Sequence, residues 1–157
     1  VKTNLATVIA DLQARVLAPL EAMANGEAST SVAEAQAVRG RALMAEDFAA
    51  LRSPSADPWH PPARDYGHPL LDATGALKDS ADCHVGPRDD ATGYSLTFQY
   101  TDEKAIWQHG GTMRNGRRHI PPRPLLFKDD AGAARWISEL NITGKAALDQ
   151  WLAQRFR

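Results

Sequence analysis

The chain has 157 residues, with 18 Lys and Arg against 19 Asp and Glu, and a single cysteine. That length fits one compact domain, a net charge of −1 excludes a protein whose whole surface coats nucleic acid, and one thiol excludes an internal disulfide framework or a cysteine-rich zinc cage. No apolar run reaches the roughly 18 residues that span a bilayer, and the first residues lack the order of a signal peptide. A soluble protein of a reducing compartment is expected, with Val1 pointing to loss of an initiator methionine or more.

Residues 1–52 form a helical amino-terminal part. Leu5, Val8, Ile9, Leu12, Val16, Leu20 and Met23 recur at steps of three and four, which predicts a helix over about 3–24 with one docking face. Pro19 predicts a kink in it or a division into two helices, and Asn25-Gly26 a stop. Ser31 followed by Glu34 has the capping-box spacing, so a second helix is expected from there to about Leu51, burying Met44, Phe48 and Leu51, with Gly40 as its weak point. Residues 53–69 carry five prolines and no period, which predicts an extended segment held down by Trp59 and Tyr66.

The third part, 70–128, begins with a short helix to Ser80, for which Asp72 or Thr74 is the expected N-cap. Strands are expected at 81–87 and 94–100; in the second, Tyr94, Leu96, Phe98 and Tyr100 alternate with polar residues, as in a half-buried strand. A helical turn over 101–109 carries Ile106 and Trp107, and Asn115-Gly116 marks a hairpin whose two turn residues need positive φ. Pro121, Pro122 and Pro124 keep the following segment extended. The last part, 129–157, reads as two short helices, Asp129 to Leu140 and Thr143 to Phe156, broken at Asn141 to Gly144.

No catalytic, cofactor-binding or metal residue is assigned. Cys83-His84 with His109 is the nearest approach to a ligand set, but it lacks the paired spacing of a structural zinc site. His109-Gly110-Gly111 faintly matches an esterase oxyanion loop without the serine elbow that would accompany it. The aspartates at 72, 79, 82, 89 and 90 read as caps and loop residues rather than as an acid and base pair. Residues 114–123 hold Arg114, Arg117, Arg118 and Arg123 with no acid, which suits contact with a neighbouring subunit or a phosphate backbone; the plain alternative is a solvated hairpin. Trp107, like Trp136 and Trp151, reads as a core or interface anchor, and Trp59 between prolines as an aromatic that docks on another surface.

Pro69 to Ser80, reading Pro-Leu-Leu-Asp-Ala-Thr-Gly-Ala-Leu-Lys-Asp-Ser, resembles a segment of the virion morphogenesis and tail-completion proteins of tailed bacteriophages, the family that includes the Mu-like G protein. Tyr100, then Ala105-Ile106-Trp107-Gln108-His109-Gly110-Gly111-Thr112, then Ile120-Pro121-Pro122-Arg123-Pro124-Leu125-Leu126, is similar to a second block of that family, and Trp59 matches an upstream tryptophan. The resemblance covers about residues 57–128, with His109 standing where an aromatic is usual and Pro122 where a small residue is usual. It implies an α+β subunit, an antiparallel sheet with a long hairpin and helices on one side. It further implies a ring, a hexamer, at the head–tail interface of the virion, assembled in the host cytoplasm with other neck and tail proteins, without enzymatic activity or cofactor, and letting DNA pass. In that setting Arg114, Arg117, Arg118 and Arg123 would touch a neighbour or the DNA, and Trp59 and Trp107 would anchor interfaces. The alternative reading is a small nucleic-acid-binding module that uses the basic hairpin.

Overall fold

The computed structural model describes residues 10, 13–59, 61, 75–86, 93–127 and 129–156. Its elements in chain order are a π-helical turn, Gln13–Leu17, running into α1 (Ala18–Ala24), then α2 (Glu27–Ala49), α3 (Ala76–Asp79), β1 (Ala81–Val85), β2 (Leu96–Tyr100), α4 (Lys104–Gly110), β3 (Thr112–Arg114), β4 (Arg117–Ile120) and α5 (Asp130–Arg155). The fold is α+β, with β1–β2 and β3–β4 as two separate antiparallel ladders.

Pro19 is the second residue of α1, directly after the π turn that runs into it. Leu5, Val8, Ile9 and Leu12 lie outside the described residues. The expected docking face is not the buried one: Val16, Leu20 and Met23 are exposed, whereas Pro19 and Ala22 are buried. Ala22 packs with Ala28 and Trp151, which ties α1 to both long helices. The second helix starts at Glu27, ahead of the Ser31 cap, because Gly26 takes the left-handed conformation and accepts the Ser29 and Thr30 hydroxyls on its carbonyl. It ends at Ala49, and Leu51, at φ +53°, is turned outward rather than buried.

Helices α2 and α5 run antiparallel, with Glu27 opposite Arg155 (2.8 Å), Gln36 opposite the Leu140 carbonyl (2.7 Å), Arg39 opposite Glu139 (2.9 Å) and Asp47 opposite Trp136 (2.8 Å). The expected break at Asn141 to Gly144 is absent, and α5 is one helix of 26 residues. Asp129 caps it by accepting from the Gly132 N–H (2.8 Å), and the Thr143 hydroxyl bonds back to the Glu139 carbonyl (3.0 Å) without interrupting it. Gly144 is buried, and a Cβ there would stand 2.5 Å from Gln36 Nε2. That glycine serves close helix approach, not termination.

The β1–β2 ladder runs in register from Ala81↔Tyr100 to Val85↔Leu96. Both strands are shorter than expected at their turn ends, and 87–92 lie outside the described residues. Gly40, expected as a weak point of α2, is where the helix meets this ladder: a Cβ there would lie 2.5 Å from Cys83 Sγ and 2.9 Å from Phe98 Cε1. Its cost in helix propensity, about 1 kcal/mol, is the condition of that contact. Cys83 is fully enclosed, and burial pushes its thiol up to about 11. Phe98, Phe127 and Trp136 close the core over it, with ring centroids 5.2–5.7 Å apart.

One buried acid joins these parts. Asp47 on α2, 3% exposed, accepts from Arg52 Nε (2.7 Å), from Trp136 Nε1 (2.8 Å) and from Arg135 Nη2. Arg135 also donates to the Pro54 carbonyl (3.0 Å), so the chain leaving α2 is tied to α5 through the same group. Tyr100 on β2 feels it too: burial and the Asp47 charge push its phenol up. Replacing Asp47 strands a buried indole N–H and two guanidinium donors at once. Asp47→Ala is expected to lower unfolding free energy by about 3 kcal/mol in urea titration. A loss below about 1 kcal/mol, the scale of an exposed ion pair, would contradict this.

Candidate functional site

The segment between Tyr100 and Phe127 builds a platform and a projection. Asp102 accepts the Lys104 N–H (2.8 Å) and starts α4, which buries Ala105 and leaves Ile106 and Trp107 outward, 75% and 53% exposed. Gly111 ends the helix at φ +70°, ψ 177°, a conformation open essentially to glycine. A Cβ there would lie 2.5 Å from the Ile120 carbonyl oxygen and 2.8 Å from Pro122 N. The returning chain therefore passes directly over Gly111. The Arg123 N–H then donates to the Gln108 carbonyl (2.7 Å), His109 Nδ1 accepts the Leu125 N–H (3.2 Å), and Trp59 Nε1 donates to the Pro124 carbonyl (3.1 Å). The stretches 105–112 and 120–126 thus hold each other.

From this platform β3 and β4 project as a hairpin. Asn115 and Gly116 take φ +51° and +71°, the turn anticipated from the dipeptide. Arg114 pairs directly across from Arg117, and both are exposed. Met113, opposite Arg118 after an irregularity at Thr112/Met113, is 64% exposed. Like charges facing each other across a ladder are destabilising, so the hairpin keeps this pair at a cost to itself.

The structure separates the sequence candidates. Arg114 and Arg117 meet at the tip, and the Arg118 side chain lies outside the described residues. Arg123 leaves the group: it is 5% exposed, its Nη1 donates to Gln108 Oε1 (3.1 Å), and burial lowers its pKa. The cause is its place in the extended return, where pairing with α4 turns it inward. Trp59 is also internal. It packs edge-on against Phe48 at 5.8 Å among Leu77, Ala105 and Leu125, so the surface on which it docks belongs to its own chain. Trp107 remains outward. Cys83 and His84 are neighbours on a strand and point to opposite faces, so they cannot share an ion: the thiol is in the core, and His84 Nδ1 lies 2.9 Å from Asp82 on the exposed side. The same contact is the first cause of the lowered Asp82 pKa. Among the described residues no three His, Cys, Asp or Glu side chains gather, and no helix is long and apolar enough to cross a membrane.

A second feature had no clear signal in the sequence. A groove of about 420 Å³ opens where the chain leaving α2 meets the start of α5, with Pro54, Pro124, Leu126 and Phe127 as its apolar wall and Ser55 and Asp129 as polar members. Its pieces come from two stretches far apart in sequence, 53–55 and 124–132. Compared with protein-family models, curated proteins and solved structures, the chain matches none. The geometry itself defines a small α+β protein that presents a braced hairpin.

Gly111→Ala is expected to destabilise the protein by about 2–3 kcal/mol, because the new Cβ meets backbone in a φ/ψ region hostile to it. Amide exchange at Arg123 and Leu125 is expected to accelerate with it. Unchanged exchange at both amides would show that the hairpin is not held through this crossing.

Proposed function

We propose that the chain is a structural subunit of the head–tail interface of a tailed bacteriophage, a tail-completion, tail-terminator or neck protein that forms a ring, a hexamer, through which DNA passes. The observation that carries this reading is the use made of the motif residues and of the hairpin between them. Gln108, His109, Gly111, Arg123 and Pro124 are committed to backbone and side-chain contacts that brace a hairpin, while Ile106, Trp107, Met113, Arg114 and Arg117 face solvent. Residues invested in presenting an apolar and basic projection suit an assembly protein, whose work is contact. The order of motifs from Trp59 to Leu126 supports the particular family. In this reading the chain has no catalytic role, and its partners are copies of itself and other neck and tail proteins.

The exposed Arg114 and Arg117 also favour, at second rank, a nucleic-acid-binding module. Two phosphate contacts would give an affinity that falls with salt at a log–log slope of about −2. Duplex binding with that slope in the parent, lost in an Arg117→Ala, Arg118→Ala double variant, would favour this second reading. For the first, deletion of the gene from a phage that carries it is expected to yield unjoined heads and tails, and gold-labelled antibody is expected at the neck of intact particles. Infectious particles assembled without the protein would overturn it.

A further inference from the structure

The hairpin and the groove complement each other, and they do not meet within one chain. The groove lining includes no residue of α4 or of the hairpin, and Met113 stays exposed. The groove offers an apolar wall of Pro54, Leu126 and Phe127 with an acidic rim: Asp129 lines it and is exposed, and exposed Asp57 accepts from the lining Ser55 hydroxyl (2.7 Å). Arg135, the cation that bonds to Pro54, is already engaged by Asp47. The hairpin offers the opposite set, an exposed methionine beside two arginines that face each other across the ladder. Met suits an irregular apolar recess because its unbranched side chain adapts to it. Carboxylates placed near Arg114 and Arg117 would relieve their mutual repulsion, which no ion pair among the described residues does.

We propose that the β3–β4 hairpin of one copy docks in this groove of a second copy, with Met113 against Leu126 and Phe127 and with Arg114 and Arg117 facing Asp57 and Asp129. This rests on the ring reading above and names its contact. The two surfaces differ, so the interface is heterologous: every copy donates a hairpin and receives one. Such contacts propagate until they close.

The test uses the full chain with Met113→Cys and Ser55→Cys, singly, mixed and combined, oxidised with diamide. Cys83 is buried with its thiol pKa pushed up to about 11, and so stays silent. The combined variant is expected to give a ladder of cross-linked multimers on a non-reducing gel, the equimolar mixture of single variants a dimer, and each single variant alone a monomer. A second arm needs no new cysteine: Arg117→Glu is expected to weaken self-association about tenfold in sedimentation velocity, and added Asp57→Arg to restore it. Dimers from Met113→Cys alone would overturn the proposal, since hairpins would then meet each other. Multimers by sedimentation without cross-linking or charge rescue would overturn the groove contact and leave the ring. Monomers in every arm would count against both.

Discussion

The fold depends on one carboxylate inside a helix pair. Taking an acid out of water is costly unless its lone pairs are used, and Asp47 uses them on an indole and two guanidinium groups drawn from α5 and from the chain that follows α2. Trp136, held by that bond, lies against both Phe98 and Phe127. Phe98 comes from β2, and Phe127 closes the extended return from the hairpin. Helix register, the seat of the sheet and the start of the platform are therefore coupled through a few contacts around one side chain. Arg135 extends the coupling to Pro54, one wall of the groove.

Close approach is the second constraint, and glycine supplies it in three places with different consequences. At Gly40 it lets α2 touch Cys83 and Phe98, at Gly144 it lets α5 touch Gln36, and at Gly111 it lets backbone cross backbone. The first two seat the core. The third decides where the hairpin points, and so links packing to the proposed function: a projection braced by Gln108, His109 and Trp59 is rigid at its base, which lowers the cost of ordering it on a partner.

Local chemistry was legible where one stretch decides the outcome. Asn115-Gly116 demanded a turn with two positive φ values, and the alternation from Tyr94 to Tyr100 demanded a strand; both formed. The errors arose where a distant segment decides. Asn141 to Gly144 carries a local stop signal, yet α2 packs along that stretch and Gln36 bonds to the Leu140 carbonyl, so burial outweighs propensity. Arg123 stands near three other arginines in sequence, but its amide pairs with α4 and the side chain follows inward. Trp59 was readable as an aromatic that docks, though not that Phe48 and Pro124 of its own chain receive it. Asp47 had no signal, because a lone acid on a helix reads as solvated until its partners are in view. The groove had none for a related reason: Ser53 to Ser55 and the distant stretch from Pro124 to Gly132 form one surface only in the fold, where Arg135 of α5 holds the Pro54 carbonyl.

In the proposed reading a braced, self-repelling hairpin makes this chain a repeating unit. Electron microscopy of the purified full chain over rising protein concentration tests it most directly. Closed rings with a central channel are expected, each subunit contacting two neighbours through unlike surfaces. Particles that remain monomeric at the highest concentration, or that close as two-fold dimers with hairpin against hairpin, would contradict it.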